Sequence, residues 1–128
     1  MADRPQIKSY RDLRVWQESL ALAERSYRLT RTFPREEMFG LTAQIRRAAA
    51  SIPANIAEGH GREHTQSFIQ FLRIAQGSLK ELETHLLLAA RVGIVGEDKI
   101  EEPLRGCEAL GKMVRLLIRS LQEKTRRP

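Results

Sequence analysis

One stretch of the chain limits the fold more than any other. Phe68, Leu72, Ala75, Leu79, Leu82, Leu86 and Ala89 recur at alternating spacings of four and three. At 3.6 residues per turn this places all seven side chains on one stripe of a helix, an arrangement no strand reproduces. A helix with a single apolar stripe has to bury it against other elements. Three further stretches offer matching stripes: Leu13, Trp16, Leu20, Ala23, Tyr27 and Thr30; Met38, Leu41, Ile45, Ala48, Ile52 and Ile56; Ile100, Leu104, Cys107, Gly111, Val114, Ile118 and Leu121.

The breaks between stripes are short. Thr32-Phe33-Pro34, Gly59-His60-Gly61 and Val92-Gly93-Ile94-Val95-Gly96 divide the chain into helices over roughly residues 11–31, 35–58, 65–92 and 97–124. Short connections make successive helices antiparallel neighbours. The expected fold is therefore all-α, an antiparallel up-down-up-down four-helix bundle, with residues 1–128 as a single domain. Pro34 suits a helix start, and the glycines after Glu58 suit a left-handed helix cap. Pro53 has no N–H to offer the Ala49 carbonyl, so the second helix is expected to kink there or divide in two. Glu97, Asp98, Glu101 and Glu102 open the fourth helix and Arg119, Lys124, Arg126 and Arg127 close it, as the helix dipole favours.

Aromatic residues are only 5% of the chain, so the core must be mainly aliphatic. No run approaches the roughly eighteen apolar residues of a membrane span. Met1 to Pro5 is polar and unlike a secretory leader. A single cysteine, Cys107, excludes an internal disulfide. The expectation is a cytoplasmic protein with no membrane contact.

Catalytic chemistry finds little support. His60 and His64 are four apart beside Glu58 and Glu63, a metal-binding spacing on a helix. Gly59 and Gly61 favour a turn there, and no other His or Cys cluster completes a site. The same turn, with Arg62, offers backbone N–H groups to an anion but lacks a phosphate-loop spacing. Cys107 falls in the core seam of its helix, where a thiol is inert packing. His85 falls at the edge of the Leu86-Leu87-Leu88 run. With no nucleophile triad or paired carboxylates, we expect no enzyme, no catalytic residues, no metal and no cofactor.

Polar and charged patterns say more. Gln44, Arg47, Ser51, Asn55 and Glu58 line up beside the apolar seam of the second helix, as inter-helix hydrogen-bonding groups or as a subunit contact. Ala48-Ala49-Ala50-Ser51 is small enough to admit another backbone. The net charge is +6, which suits acidic partners, RNA ahead of DNA, as well as ordinary solubility. Antiparallel topology gathers Lys8, Arg11, Arg14, Arg62, Arg115, Arg119, Lys124, Arg126 and Arg127 at one end, and Glu36, Glu37, Glu97, Asp98, Glu101 and Glu102 at the other. Lys112, Arg115, Arg119 and Arg126 share one face of the fourth helix. Arg73, Lys80 and Arg91 form a stripe on the third with Gln66, Gln70 and Thr84. We take Arg11, Arg14, Arg62, Lys112, Arg115, Arg119 and Arg126 as candidate nucleic-acid contacts. Few aromatics are left to stack on bases, so binding would be led by phosphates.

Several segments resemble a known family. They are Tyr10-Arg11-Asp12-Leu13-Arg14-Val15-Trp16, Phe33-Pro34, Gly40 to Ala48, Ser51-Ile52-Pro53-Ala54-Asn55-Ile56-Ala57-Glu58-Gly59, Gly61-Arg62, and Gly77-Ser78-Leu79-Lys80-Glu81-Leu82-Glu83. The chain is similar over residues 10 to 122 to the bacterial four helix bundle proteins, also called 23S rRNA intervening-sequence proteins. It also resembles in fold the accessory variability protein of diversity-generating retroelements, a basic pentamer that works with a reverse transcriptase and RNA. The resemblance implies a four-helix bundle and a ring-like homopentamer, and brings no catalytic residues with it.

Two functions follow as expectations. The first is a non-enzymatic, oligomeric bundle that binds RNA, or less readily DNA, through its basic end. The alternative is a scaffold that docks a protein partner and has no nucleic-acid activity.

Overall fold

The computed structural model describes residues 6–126, which leaves Met1 to Pro5, Arg127 and Pro128 outside the description. Four α-helices carry the fold: α1 (Arg14–Thr30), α2 (Leu41–Gly61), α3 (Thr65–Arg91) and α4 (Glu97–Arg126). Short 3-10 turns at Tyr10–Asp12 and Arg35–Glu37 precede α1 and α2, and the described residues include no strand.

Each helix lies beside two others. α1 packs on α2, α2 on α3, α3 on α4 and α4 on α1, while the diagonal pairs do not approach at the backbone. Leu22, Ile45, Ile52, Ile56, Leu72, Leu79, Leu82, Leu86, Leu110 and Val114 fill the space between them and are fully buried. Each such side chain contributes about 1.5–3 kcal/mol by leaving water. The stripes of α2, α3 and α4 lie largely as the spacing predicts, with Cys107 in the core. Met38, placed in the second stripe, is exposed before α2 begins.

The first stripe needs correction. The core face of α1 is Val15, Ser19, Leu22, Ala23, Ser26 and Thr30, whereas Leu20 is 46% and Tyr27 38% exposed. Serine looks polar in sequence, yet both buried serines satisfy themselves locally. Ser19 Oγ donates to the Trp16 carbonyl at 2.8 Å and Ser26 Oγ to that of Leu22 at 2.9 Å. With its proton placed, a small hydroxyl can enter a core that leaves little room.

The chain enters α1 through a capping box. Ser9 Oγ accepts the Arg11 N–H, while Asp12 Oδ2 accepts the N–H groups of Lys8 and Ser9 at 2.8 and 3.1 Å. Those backbone donors, Lys8 first, hold the Asp12 carboxyl below its ordinary value. Residues 11–13 therefore form a turn and not the first helical turn expected there.

Pro34 starts the 3-10 turn, and α2 begins only at Leu41. Glu37 reaches over Gly40 to accept the Leu41 N–H at 3.1 Å, which caps α2. α2 then runs unbroken through Pro53 to Gly61, neither divided in two nor ended at Glu58. The left-handed residue of the α2–α3 connection is Glu63, at φ 62°, and not either of the two glycines before it.

Candidate functional site

The cation row on α4 is exposed as expected. Lys112, Arg115, Arg119 and Arg126 all face solvent, and no described carboxylate lies within 4 Å of Arg115 or Arg119. Lys112 has a loose partner in Glu108 at 3.6 Å, one turn back on the same helix. Exposed pairs of this kind contribute little and open readily to a competing anion.

The other candidates lie on other elements. Arg14 is the first residue of α1, and Arg11 lies in the preceding turn with its guanidinium 5.7 Å from the Tyr10 ring. Arg62 follows α2, pairs with Glu58 at 3.0 Å and lies 5.3 Å over the Phe71 ring. All three are exposed. Arg127 lies outside the described residues.

The expected acidic end is mixed. Arg25, Arg28 and Lys99 line one cleft with Leu29, Glu102 and Pro103, and Arg25 Nε is 3.9 Å from Glu102. Reading acidic residues alone at that end overlooked the cations of α1, which the packing of α1 on α4 brings to the same surface.

A sizeable hollow lies elsewhere, between α1 and α2. It measures about 610 Å³ and is walled by Tyr10, Trp16, Leu20, Ala23 and Tyr27 on one side and Ala50, Pro53, Ala54 and Ala57 on the other. Glu24 is the one charged residue that lines it. Tyr10 and Trp16 meet edge to face, with centroids 5.1 Å apart. Arg46 bridges the two helices near Tyr27. Its Nε donates to Thr30 Oγ1 at 2.8 Å while the guanidinium lies 4.8 Å over the Tyr27 ring. Sequence reasoning assigned Trp16, Leu20 and Tyr27 to the core and overlooked Arg46. The signal was available in the second stripe of α1, Val15, Ser19, Leu22 and Ser26, which left the aromatic stripe free.

A second groove separates α3 from α4. Two adjoining hollows of about 390 and 270 Å³ share Lys80, Glu83, Gly111 and Arg115, with Gly77 in one and Glu108 and Lys112 in the other. No aromatic residue lines either.

The polar stripe of α2 crosses between helices once. Ser51 and Ser78 bring their hydroxyls to 2.9 Å, and Asn55 Nδ2 donates to both the carbonyl and the hydroxyl of Ser51. Gln44 accepts from Arg47 at 3.4 Å, and Glu58 accepts from Arg62 one turn on, just past the end of α2. Ala48 and Ala49 are buried, whereas Ala50 opens onto the apolar groove.

His60, Glu63 and His64 border a smaller hollow of about 230 Å³ in which the His60 ring meets Phe68 edge to face at 5.7 Å. Among the described residues no group of three His, Cys, Asp or Glu is positioned to hold a metal. Cys107 is fully enclosed, and burial, with the Glu83 carboxylate nearby, pushes its thiol up to about 12. Such a thiol is protonated and unreactive at neutral pH. No described helix is long and apolar enough to cross a membrane.

No curated protein matches the chain. Among solved structures, it is similar to a protein of unknown function from the S23 ribosomal protein family of Bacteroides thetaiotaomicron. The two are 27% identical over 81% of this chain and 97% of that one, with a TM-score of 0.73. The family model for 23S rRNA-intervening sequence proteins matches residues 11–115, and the chain belongs to that family.

Proposed function

We propose that the protein is a non-enzymatic, cytoplasmic, self-associating bundle that binds RNA by its phosphate backbone. The observation that carries this reading is the α4 row, in which Arg115 and Arg119 are exposed with no described carboxylate within 4 Å. Unpaired surface arginines are strong phosphate ligands, and displacing counterions from RNA supplies the free energy. The family description names 23S rRNA and the Bacteroides protein is assigned to a ribosomal family, which favours RNA over DNA.

The helices in this reading run up-down-up-down. Supporting it, Gly59 near the end of α2 meets Phe68 and Phe71 near the start of α3, and Arg25 late in α1 meets Glu102 and Gly106 in the first third of α4.

The α1–α2 groove is the proposed subunit contact, its occupant a second copy in a closed ring of five. A ring joins two different faces of the same chain. The groove offers an apolar slot with one carboxylate, Glu24. The outer face of α3 offers the exposed pair Leu87 and Leu88 beside Arg91, an apolar patch with a cation to set against the slot and its carboxylate. In a ring, one modest cation row per chain becomes a repeated one.

Exchanging Arg115 and Arg119 for glutamate tests the binding claim. Affinity for a structured RNA should fall below detection at moderate salt, with helix content and sedimentation unchanged. Unchanged binding would remove RNA from the account. A protein-docking scaffold would then lead, with the apolar α1–α2 groove as the seat for a partner's helix.

A further inference from the structure

Two glycines in the middle of long helices have no explanation inside the chain. A glycine in a helix interior costs about 1 kcal/mol relative to alanine. Elsewhere the packing accounts for it. At Gly106 a Cβ would stand 2.7 Å from Arg25 Nη2 and 3.1 Å from Leu22 Cδ1. At Gly77 in α3 and Gly111 in α4 a Cβ would meet nothing within 4 Å. Both line the groove between those helices.

The rim of this groove is charged. Lys80, Lys112 and Arg115 stand on it with Glu83 and Glu108. Lys80 pairs with Glu83 at 3.4 Å and Lys112 with Glu108 at 3.6 Å, each within its own helix. Arg115 has no described carboxylate within 4 Å, which leaves the groove one positive charge in excess and two lysines in weak, exchangeable pairs. From Arg115 the cations continue along α4 to Arg119 and Arg126. The absence of aromatics removes base stacking, the usual means of gripping a strand by its bases.

We propose that the α3–α4 groove is a channel for a single strand of RNA, with its sugar-phosphate backbone seated over Gly77 and Gly111 between Lys80, Lys112 and Arg115. This rests on the RNA reading above and gives it a path. The open floor lets phosphates sink between cations on two helices, where the exposed face of α4 alone would offer one row. Recognition is by charge, so it tolerates any sequence. A helix of a protein partner would also fit a glycine floor. The excess positive charge and its continuation along α4 favour the polyanion.

The test is a plug that leaves charge unchanged. Gly111→Leu and, on the facing wall, Gly77→Leu each fill open space and improve helix propensity. Binding is read by anisotropy of a fluorescein-labelled oligouridylate about twenty nucleotides long, across a salt titration. Each plug should weaken binding about tenfold or more and lower the salt slope by about two, as three cations lose their phosphates. Full affinity in both plugs, alongside loss in the Arg115→Glu/Arg119→Glu double variant, would overturn the channel and leave RNA binding on the open face of α4. No binding by the unaltered protein even at low salt would overturn the RNA reading and the channel together. Plugged variants that no longer self-associate would also overturn it, by making the groove a subunit contact.

Discussion

Gly59 stands so close to α3 that a Cβ there would lie 2.6 Å from the Cβ of Phe71. The contact is with an atom fixed to the α3 backbone, so a rotamer change cannot relieve it. Gly59 is therefore where α2 and α3 come together, and not the left-handed cap that its neighbourhood in the sequence suggests.

Gly59→Ala should accordingly destabilise the fold by about 1–3 kcal/mol, the range for overpacking a tight contact. Gly61→Ala, with nothing within 4 Å of its Cβ, should leave stability level or raise it by up to about 1 kcal/mol. Urea denaturation of the two variants side by side checks the contrast. Equal effects would show that close approach is not what selects glycine at position 59.

Glu63 takes the left-handed conformation that glycine adopts without cost. Glu63→Gly should raise stability by up to about 1 kcal/mol, and Glu63→Val should lower it by about as much. The thermal midpoints of the two variants should move in opposite directions.

Ser51→Ala leaves the Ser78 hydroxyl buried in the α2–α3 interface without its partner at 2.9 Å. The expected cost is about 1–3 kcal/mol. Ser51→Ala combined with Ser78→Ala should cost less than the sum of the single changes, since the double variant buries no orphan. A double-mutant cycle reads the difference directly.

Cys107 ties stability to alkaline pH. Its thiol is raised in the folded state by burial, from 9.0 to about 12. The folded chain therefore holds this proton where the unfolded chain gives it up. The contribution is fully present below pH 9.0 and is lost as pH rises through about 12. The difference in stability between the unaltered protein and Cys107→Ala should be level up to pH 9.0, shrink between there and about 12, and be level again above that. Iodoacetamide should leave the folded protein unlabelled at neutral pH and react once it is denatured.

Four helices, the approximate limits of three of them and three of their buried stripes were legible in the sequence, because a spacing of three and four is a local property of the chain. Leu72, Leu79, Leu82 and Leu86 can be read as one face without knowing what they meet. The same rule misread α1, which carries two overlapping stripes. Choosing between Trp16-Leu20-Tyr27 and Val15-Ser19-Leu22-Ser26 depends on how much room α2 and α4 leave, and the small serines won because they fit and bond to their own helix.

Exposure of Arg115 and Arg119 on one face of α4 could be expected from spacing alone. Their lack of a described carboxylate could not, because side chains distant in sequence decide it. The two glycine-lined surfaces were equally hidden. A glycine looks the same in sequence whether it admits Phe71, as Gly59 does, or opens onto an empty groove, as Gly77 and Gly111 do. Sequence alone determined the helical period, the charge and the family motifs, which all act over a turn or two of chain. Only the tertiary packing decided which stripe of α1 is core, which glycines are crowded and where the two grooves open. Each of those depends on the distance between helices.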